Sequence, residues 1–257
     1  DLKRLAQYNE NIDTYSETLN SIYSAIQSLK KVSDRASEIA AMVDNIKSKD
    51  QLAAYSQEIN QLLEQAVQVA NTKNQYGYIF SGTKSDRASY SVERNETGDI
   101  ASVEYRGSTK SPAVEIAPVT TITVHIPGSN KTTNGTAGLF ETVNGSIFEN
   151  LIALRDGLDS GTREDVKYIR ENIVPNLMLD ESAIIHHISR IGALEARLEM
   201  AKTMGTRRID ATEEFISREV DADLAQTLVK LNEVQVAYLA ALKAGATIMN
   251  QSLLDYV

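Results

Sequence analysis

With 257 residues the chain is long enough to bury a substantial core and to hold one large domain or two smaller ones. Its 35 acidic residues against 26 basic ones leave a net charge of -9, a long-range field that disfavours nucleic acid and anionic membranes as partners. No apolar run approaches the roughly 20 residues of a membrane span, no signal peptide opens the sequence at Asp1, and the lack of cysteine excludes disulfides and thiolate metal sites, as suits either a reducing compartment or a protein exported unfolded.

Glycine and proline divide the chain. Residues 1–76 contain neither, residues 77–161 hold most of the glycines together with Pro112, Pro118 and Pro127, and beyond 162 the breakers thin out again. The pattern predicts helix, then strands and turns, then helix. In the first segment Leu5, Tyr8, Ile12, Tyr15, Leu19, Ile22, Ile26 and Leu29 alternate at spacings of three and four, the seam of a coiled coil. Ala36, Ala40 and Val43 carry it to about Ile46, a helix of roughly 70 Å at 1.5 Å per residue. The turn KSKD follows, with Asp50 as the expected N-cap. A second helix then carries Leu52, Tyr55, Ile59, Leu62, Ala66 and Val69. A stripe this narrow covers one side, so each helix needs a partner.

The stretch YGYIFSGTK, residues 76–84, comes close to a phosphate-binding loop, but its lysine follows the threonine instead of directly following the second glycine. Such a loop also needs a strand before it and a helix after it, because the anion sits on the N–H groups of the helix start. Here the order is helix, loop, strand. Gly77 is therefore expected to cap the helix, Tyr78, Ile79 and Phe80 to begin the sheet, and Gly82 to allow a tight turn. Tyr90 to Arg94, then Ile100, Val103 and Tyr105 around the turn NETGD, then Ile122, Val124 and Ile126 read as short strands.

Helical spacing returns with Ile147, Phe148, Leu151, Ile152 and Leu158, closed by Gly161. A helix from about Arg163 carries Val166, Ile169 and Ile173, with a kink expected at Pro175. Ile184, Ile188, Ile191, Leu194 and Leu198 continue the apolar side. Val220, Leu224, Leu228, Leu231, Val234, Tyr238, Leu242 and Met249 mark a long last helix, in which Gly245 is a weak point. The fold class is α+β: residues 1–76 and 146–257 form a discontinuous core of long antiparallel helices, and residues 77–145 form an inserted β-rich domain.

No catalytic, cofactor or metal site emerges. His186 and His187 are adjacent and so point about 100° apart on a helix, too divergent to share a metal. His125 lies on the strand face opposite Ile122 and Val124 and is expected in solvent. Glu213 with Glu214, and Asp221 with Asp223, read as solvated helix faces. Five Asn-x-Ser/Thr triplets begin at Asn95, Asn130, Asn134, Asn144 and Asn250, and four of them fall in the β-rich middle, where this chemistry makes turns.

The segments NQYGYIFSGTK, NETGDIASVEYRG, TVHIPG, LIALRDGL and IMNQSLLDYV resemble the hook-filament junction proteins, the hook-associated protein 3 family of the flagellin superfamily, over essentially the whole chain. The resemblance implies a non-enzymatic structural adaptor of the bacterial flagellum, outside the cell. Its partners would be another hook-associated protein, flagellin and further copies of itself in a tubular array, with no cofactor, no nucleic acid and no membrane. It also implies type III export without a cleaved signal, and a dedicated export chaperone. Flagellin resembles the chain at both ends, but an FNG-type motif is expected there instead of YGYIFSGT. A coiled-coil signalling rod would need a membrane span or an output module.

Family members begin with a further apolar helical segment, whereas this sequence starts already inside a heptad. The seam of Leu224, Leu228, Leu231, Val234, Tyr238 and Leu242 is therefore expected to lack its cover in an isolated monomer, to be weakly held beyond about Ala225, and to serve as the assembly interface. Gly77, Phe80 and Gly82 are the expected helix-to-sheet junction.

Overall fold

The heptad of the first segment forms α1, Leu2–Met42, and its seam faces inward: Tyr8, Ile12, Leu19, Ile22, Ile26 and Leu29 are buried, with Tyr15 packed at their edge. The computed structural model describes residues 2–43 and 47–254, leaving aside the side chains of 221–223 and 249–254. The expected extension of α1 to Ile46 thus lies partly outside the described residues. The second helix, α2, is Lys49–Ala70. Its N-cap is Ser48 and not Asp50, because Ser48 and Gln51 form a capping box: the Gln51 N–H donates to Ser48 Oγ at 3.3 Å and the Ser48 N–H to Gln51 Oε1 at 3.1 Å. Asp50 sits in the first turn, where the helix dipole favours a carboxylate. The buried face of α2 is wider than the expected seam, taking in Leu63, Val67 and Ala70, because the helix packs on more than one neighbour.

The helix ends at Ala70 with Asn71 as its C-cap, seven residues before the first glycine. Asn71 holds the chain by its side chain: Nδ2 donates to the Tyr90 carbonyl at 3.0 Å and Oδ1 accepts from the Tyr90 N–H at 2.9 Å. The expected capping role of Gly77 is thereby overturned. Among the described residues the strands form four separate antiparallel hairpins: β1 (Lys73–Asn74) with β2 (Gly77–Tyr78), β3 (Tyr90–Arg94) with β4 (Ile100–Tyr105), β5 (Val114–Ala117) with β6 (Thr120–Ile122), and β7 (Glu141–Thr142) with β8 (Gly145–Ser146). In the NETGD turn Asn95 Oδ1 accepts the N–H groups of Thr97 and Asp99, at 3.1 and 2.9 Å. Val124 and Ile126 are buried without belonging to a strand, as are Ile79 and Phe80. His125, expected in solvent, is largely covered and meets the Tyr15 ring edge-on at 6.0 Å, because the side opposite Ile122 and Val124 packs against α1 instead of facing water.

Helix α3, Ile147–Ser160, stops at Gly161, which adopts the left-handed conformation at φ 59°. Thr162 then caps α4, Arg163–Tyr168, accepting the Asp165 N–H at 3.1 Å. Between α4 and α5, Val174–Leu254, residues Ile169–Ile173 form a π-helical turn in which the Val174 N–H reaches back to the Ile169 carbonyl. This is the structural consequence of Pro175, which has no N–H to donate and whose ring crowds the carbonyl four residues earlier; the helix widens there. Along α5, Leu177, Ile184, His187, Ile191 and Leu198 are buried, and Gly245 does not interrupt the helix. Helices α1 and α5 run antiparallel, since Lys30 pairs with Glu181 at 3.5 Å and Asp13 with Lys202 at 2.6 Å.

One hydrophobic core gathers the inward faces of α1, α2, α3 and the 177–198 part of α5 together with Phe80, Tyr90, Ile100, Ile116, Ile122 and Phe140 from the β-rich stretch. The chain divides into two units, Gln7–Thr203, which contains this packing, and Asp1–Ala6 with Met204–Val257.

Candidate assembly surface

The far part of α5 is unlike the near part. Leu224, Leu228, Leu231, Val234, Tyr238 and Leu242 are all exposed, between 52% and 65% of their surface. Val229, Val236, Leu239 and Ile248, outside the narrow seam, are exposed as well, so the apolar surface spreads over more of the helix than heptad spacing suggests. Burying one Leu-sized side chain fully is worth roughly 1.5–3 kcal/mol, so a row of such residues is a strong drive to association. The surrounding charges are ordinary for a solvated helix, for instance the Glu214–Arg218 pair one turn apart. Met249 and the pair Asp221 and Asp223 lie outside the described side chains.

The junction residues do a different job. Phe80 is fully buried, and its ring meets Phe140 edge-on at 5.2 Å within a cluster that includes Tyr90, Tyr105 and Phe148. Its carbonyl oxygen accepts from the Gly128 N–H at 2.8 Å and from the Tyr105 hydroxyl at 2.9 Å. Burial pushes the Tyr105 hydroxyl up to about 12 and raises Tyr90 well above the ordinary tyrosine range, so both stay neutral. Gly82, at φ 61°, lies so close to the 108–110 segment that a Cβ there would stand 2.1 Å from the Ser108 carbonyl oxygen; at Gly77, φ 120°, it would stand 2.4 Å from that of Ser85. A phosphate cradle would need backbone N–H groups that this stretch already uses internally. The N–H groups of Tyr78, Ile79, Ser81 and Lys84 are taken by Ser85, Thr72, Tyr78 and Ser81 carbonyls.

The titratable groups do not converge either. His187 is buried, and desolvation lowers it to about 4; Asp180, on the same face, is raised by desolvation to about 6 while its carboxylate accepts from Asn150 Nδ2 at 2.6 Å. Seven residues along a helix separate them by about 10 Å, too far for direct proton transfer. Among the described residues no group of three or more His, Asp or Glu side chains could hold a metal ion, and no helix is long and apolar enough to cross a membrane. Asn130, the first residue of its triplet, is buried and spent on turn-making, its Nδ2 donating to the carbonyls of Asn134 and Thr136.

Periodicity alone did not single out Arg155. It is buried in α3 and donates to the Ile100 carbonyl at 2.7 Å and to Asn60 Oδ1 at 3.3 Å, tying α3 to β4 and α2. Its place inside the LIALRDGL motif was the available signal.

No protein-family model matches the chain, and no curated protein sequence matches it either. Solved structures do. The crystal structure of Xanthomonas campestris FlgL aligns with a TM-score of 0.70 at 16% identity, covering 84% of this chain and 98% of its own. FlgL from Bacillus cereus aligns at 0.63 with 20% identity, over 82% and 93% of the two chains. The flagellar junction protein FlgL from Legionella pneumophila aligns at 0.64 with 14% identity, over 82% and 94%. The chain therefore has the α+β fold of these hook-associated proteins, long helices carrying small antiparallel hairpins, the fold that its motifs suggested.

Proposed function

We propose that this protein is a structural adaptor of the bacterial flagellum that joins the hook-associated zone to the flagellin filament and does no chemistry. The observation that carries the reading is the exposed row Leu224 to Leu242 on a helix whose earlier part is buried, within a fold held in common with flagellar junction proteins. Such a row is costly in water and useful only where a neighbour supplies its complement. In the adaptor the neighbours are a hook-associated protein, flagellin and further copies arranged in a tube. Export without a cleaved signal, guarded by a chaperone over the same row, keeps subunits from joining early. In this reading residues 77–145 are a β-rich insertion fixed to the helical parts 1–76 and 146–257 through Phe80 and its neighbours.

The test is electron microscopy of purified protein added to hook-associated rings, with and without flagellin. Defined caps on the rings that then accept flagellin support the adaptor. Filaments formed by the protein alone would make it a filament subunit, and failure to bind rings at any concentration would contradict the reading.

A further inference from the structure

Two of the Asn-x-Ser/Thr triplets are also Asn-Gly steps, Asn134–Gly135 and Asn144–Gly145. In such a step the next backbone nitrogen can attack the asparagine side chain, because glycine has no Cβ to obstruct the approach. The two steps sit in opposite environments. Asn144 lies at the tip of the β7–β8 hairpin, where Gly145 is half-buried and pairs with Thr142, so its N–H is held by the Thr142 carbonyl in the ladder. Asn134 and Gly135 are both exposed on the loop that follows Asn130, and Gly135 is at φ 83°. The Gly135 N–H has no hydrogen-bond partner among the described residues, and neither has the Asn134 side chain.

The loop is built around a buried donor. Asn130 is only 3% exposed, and its Oδ1 accepts both the N–H of Thr132 at 3.0 Å and its hydroxyl at 2.7 Å. That fixes the amide's orientation and sends its two Nδ2 hydrogens to the Asn134 carbonyl at 2.9 Å and the Thr136 carbonyl at 2.8 Å. The first of these matters chemically. The peptide group whose oxygen is Asn134 O is the one whose nitrogen is Gly135 N. When that N–H loses its proton, negative charge spreads onto the Asn134 oxygen, and a donor already aimed there holds the anion more strongly than the neutral peptide.

We infer that Asn134 is a self-modifying site, converted through a succinimide to aspartate and isoaspartate, with Asn130 as the donor that activates the attacking peptide nitrogen. The deprotonated Gly135 nitrogen bonds to the Asn134 side-chain carbonyl carbon, the bond from that carbon to the side-chain nitrogen breaks, and ammonia leaves with the proton that Gly135 gave up. Water then opens the ring at either carbonyl. No electrons are exchanged; one amide becomes one carboxylate and adds one negative charge to the net charge of -9. Opening at the Asn134 main-chain carbonyl carries the backbone through the former side chain and lengthens the loop by one carbon. The anchors on either side stay in place, Ser129 Oγ on the buried Glu141 at 2.8 Å and the Gly138 carbonyl under His187 at 3.1 Å, so the surface changes and the core does not. The inference is independent of the adaptor reading.

The test follows the two Asn-Gly steps in one sample. The full chain is held in mildly alkaline buffer, folded or unfolded in urea, and the peptides containing Asn134 and Asn144 are resolved over time by mass spectrometry. In the folded protein Asn134 should lose its amide about tenfold faster than Asn144, whose attacking nitrogen must first break its ladder hydrogen bond. Asn134 should also react faster folded than in urea, where Asn130 no longer donates, and in urea the two sites should react at similar rates. Asn130→Asp keeps an acceptor for Thr132 but has no N–H to give, so it should slow Asn134 to the urea rate or below. Asn134→Gln should abolish the acidic species on isoelectric focusing with an unchanged melting curve. Equal rates at the two sites in the folded protein, or a faster Asn144, would overturn the inference. So would an Asn134 rate no higher folded than in urea, or a folded Asn130→Asp variant that reacts undiminished. If Asn130→Asp does not fold, the folded-to-urea ratio of the parent decides by itself.

Discussion

His187 Nε2 donates to the Gly138 carbonyl oxygen across 3.1 Å, which fixes the neutral tautomer and leaves Nδ1 buried without a partner. Charging this ring would put an unmatched cation beside His186 and Arg190, which further disfavour it. Because its pKa falls from 6.5 to about 4 on folding, the folded state binds fewer protons than the unfolded chain between those values. The contribution of His187 is intact above pH 6.5 and is lost as pH drops toward 4, by roughly 3 kcal/mol in full. Asp180 has the opposite sign: raised from 3.8 to about 6, its contribution is intact below pH 3.8 and is lost as pH rises through 6. The two nearly cancel in between. Asp180→Asn should therefore be more stable than the parent at pH 7 and lose that advantage steeply toward pH 4, and His187→Gln should gain stability relative to the parent on acidification. Thermal melts across pH 4–7 decide; parallel curves for all three proteins would contradict the assignment.

Gly82 and Lys84 separate the structural reading of YGYIFSGTK from the phosphate-loop reading. Gly82→Val must place a β-branched side chain at φ 61° against the Ser108 carbonyl, so a loss of about 2 kcal/mol or more is expected in urea unfolding. Lys84 is exposed, and Lys84→Ala should stay within roughly 0.5 kcal/mol and assemble normally. Micromolar nucleotide binding abolished by Lys84→Ala is the result that would restore the phosphate loop.

Arg155 offers a prediction about the core. Arg155→Met keeps most of the packing but strands the buried Ile100 carbonyl, and should cost about 1–3 kcal/mol. The lowered urea midpoint should come with an unchanged slope. No change in midpoint would mean that water replaces the guanidinium at no cost.

How far the fold was legible follows from where local chemistry decided it. Strands β3 and β4 begin and end at the residues that alternation and NETGD indicated, because that turn is made by the Asn95 side chain itself. Gly161 caps α3 because only a left-handed residue fits there. The end of α2 was hidden because Asn71 closes it through a tertiary contact with Tyr90, which no short window of sequence contains. The β5–β6 hairpin escaped notice because its turn carries a valine where a glycine would have announced it. The π-helical turn was foreseen only as trouble at Pro175. Of the candidate surface, the row of residues was legible from spacing and its lack of cover was expected from the resemblance, while its width was not legible, since heptad spacing reports only a narrow seam.

On that row, Leu231→Asp adds a charge where a neighbour's apolar surface would lie. The variant should keep the unfolding transition of Gln7–Thr203 and fail to enter the array, seen by co-sedimentation with hook-associated rings. Normal incorporation would remove this face from the joint.

The central claim is that the far part of α5 is a joining surface completed only by assembly. Hydrogen exchange resolved along the chain tests it most directly, on dilute protein and again on the assembled array. Amides from 225 to 248 should exchange fast in the monomer and slow sharply on assembly, while those of 12–29 stay protected in both. Equal protection of 225–248 in the two states, matching 12–29, would contradict the account.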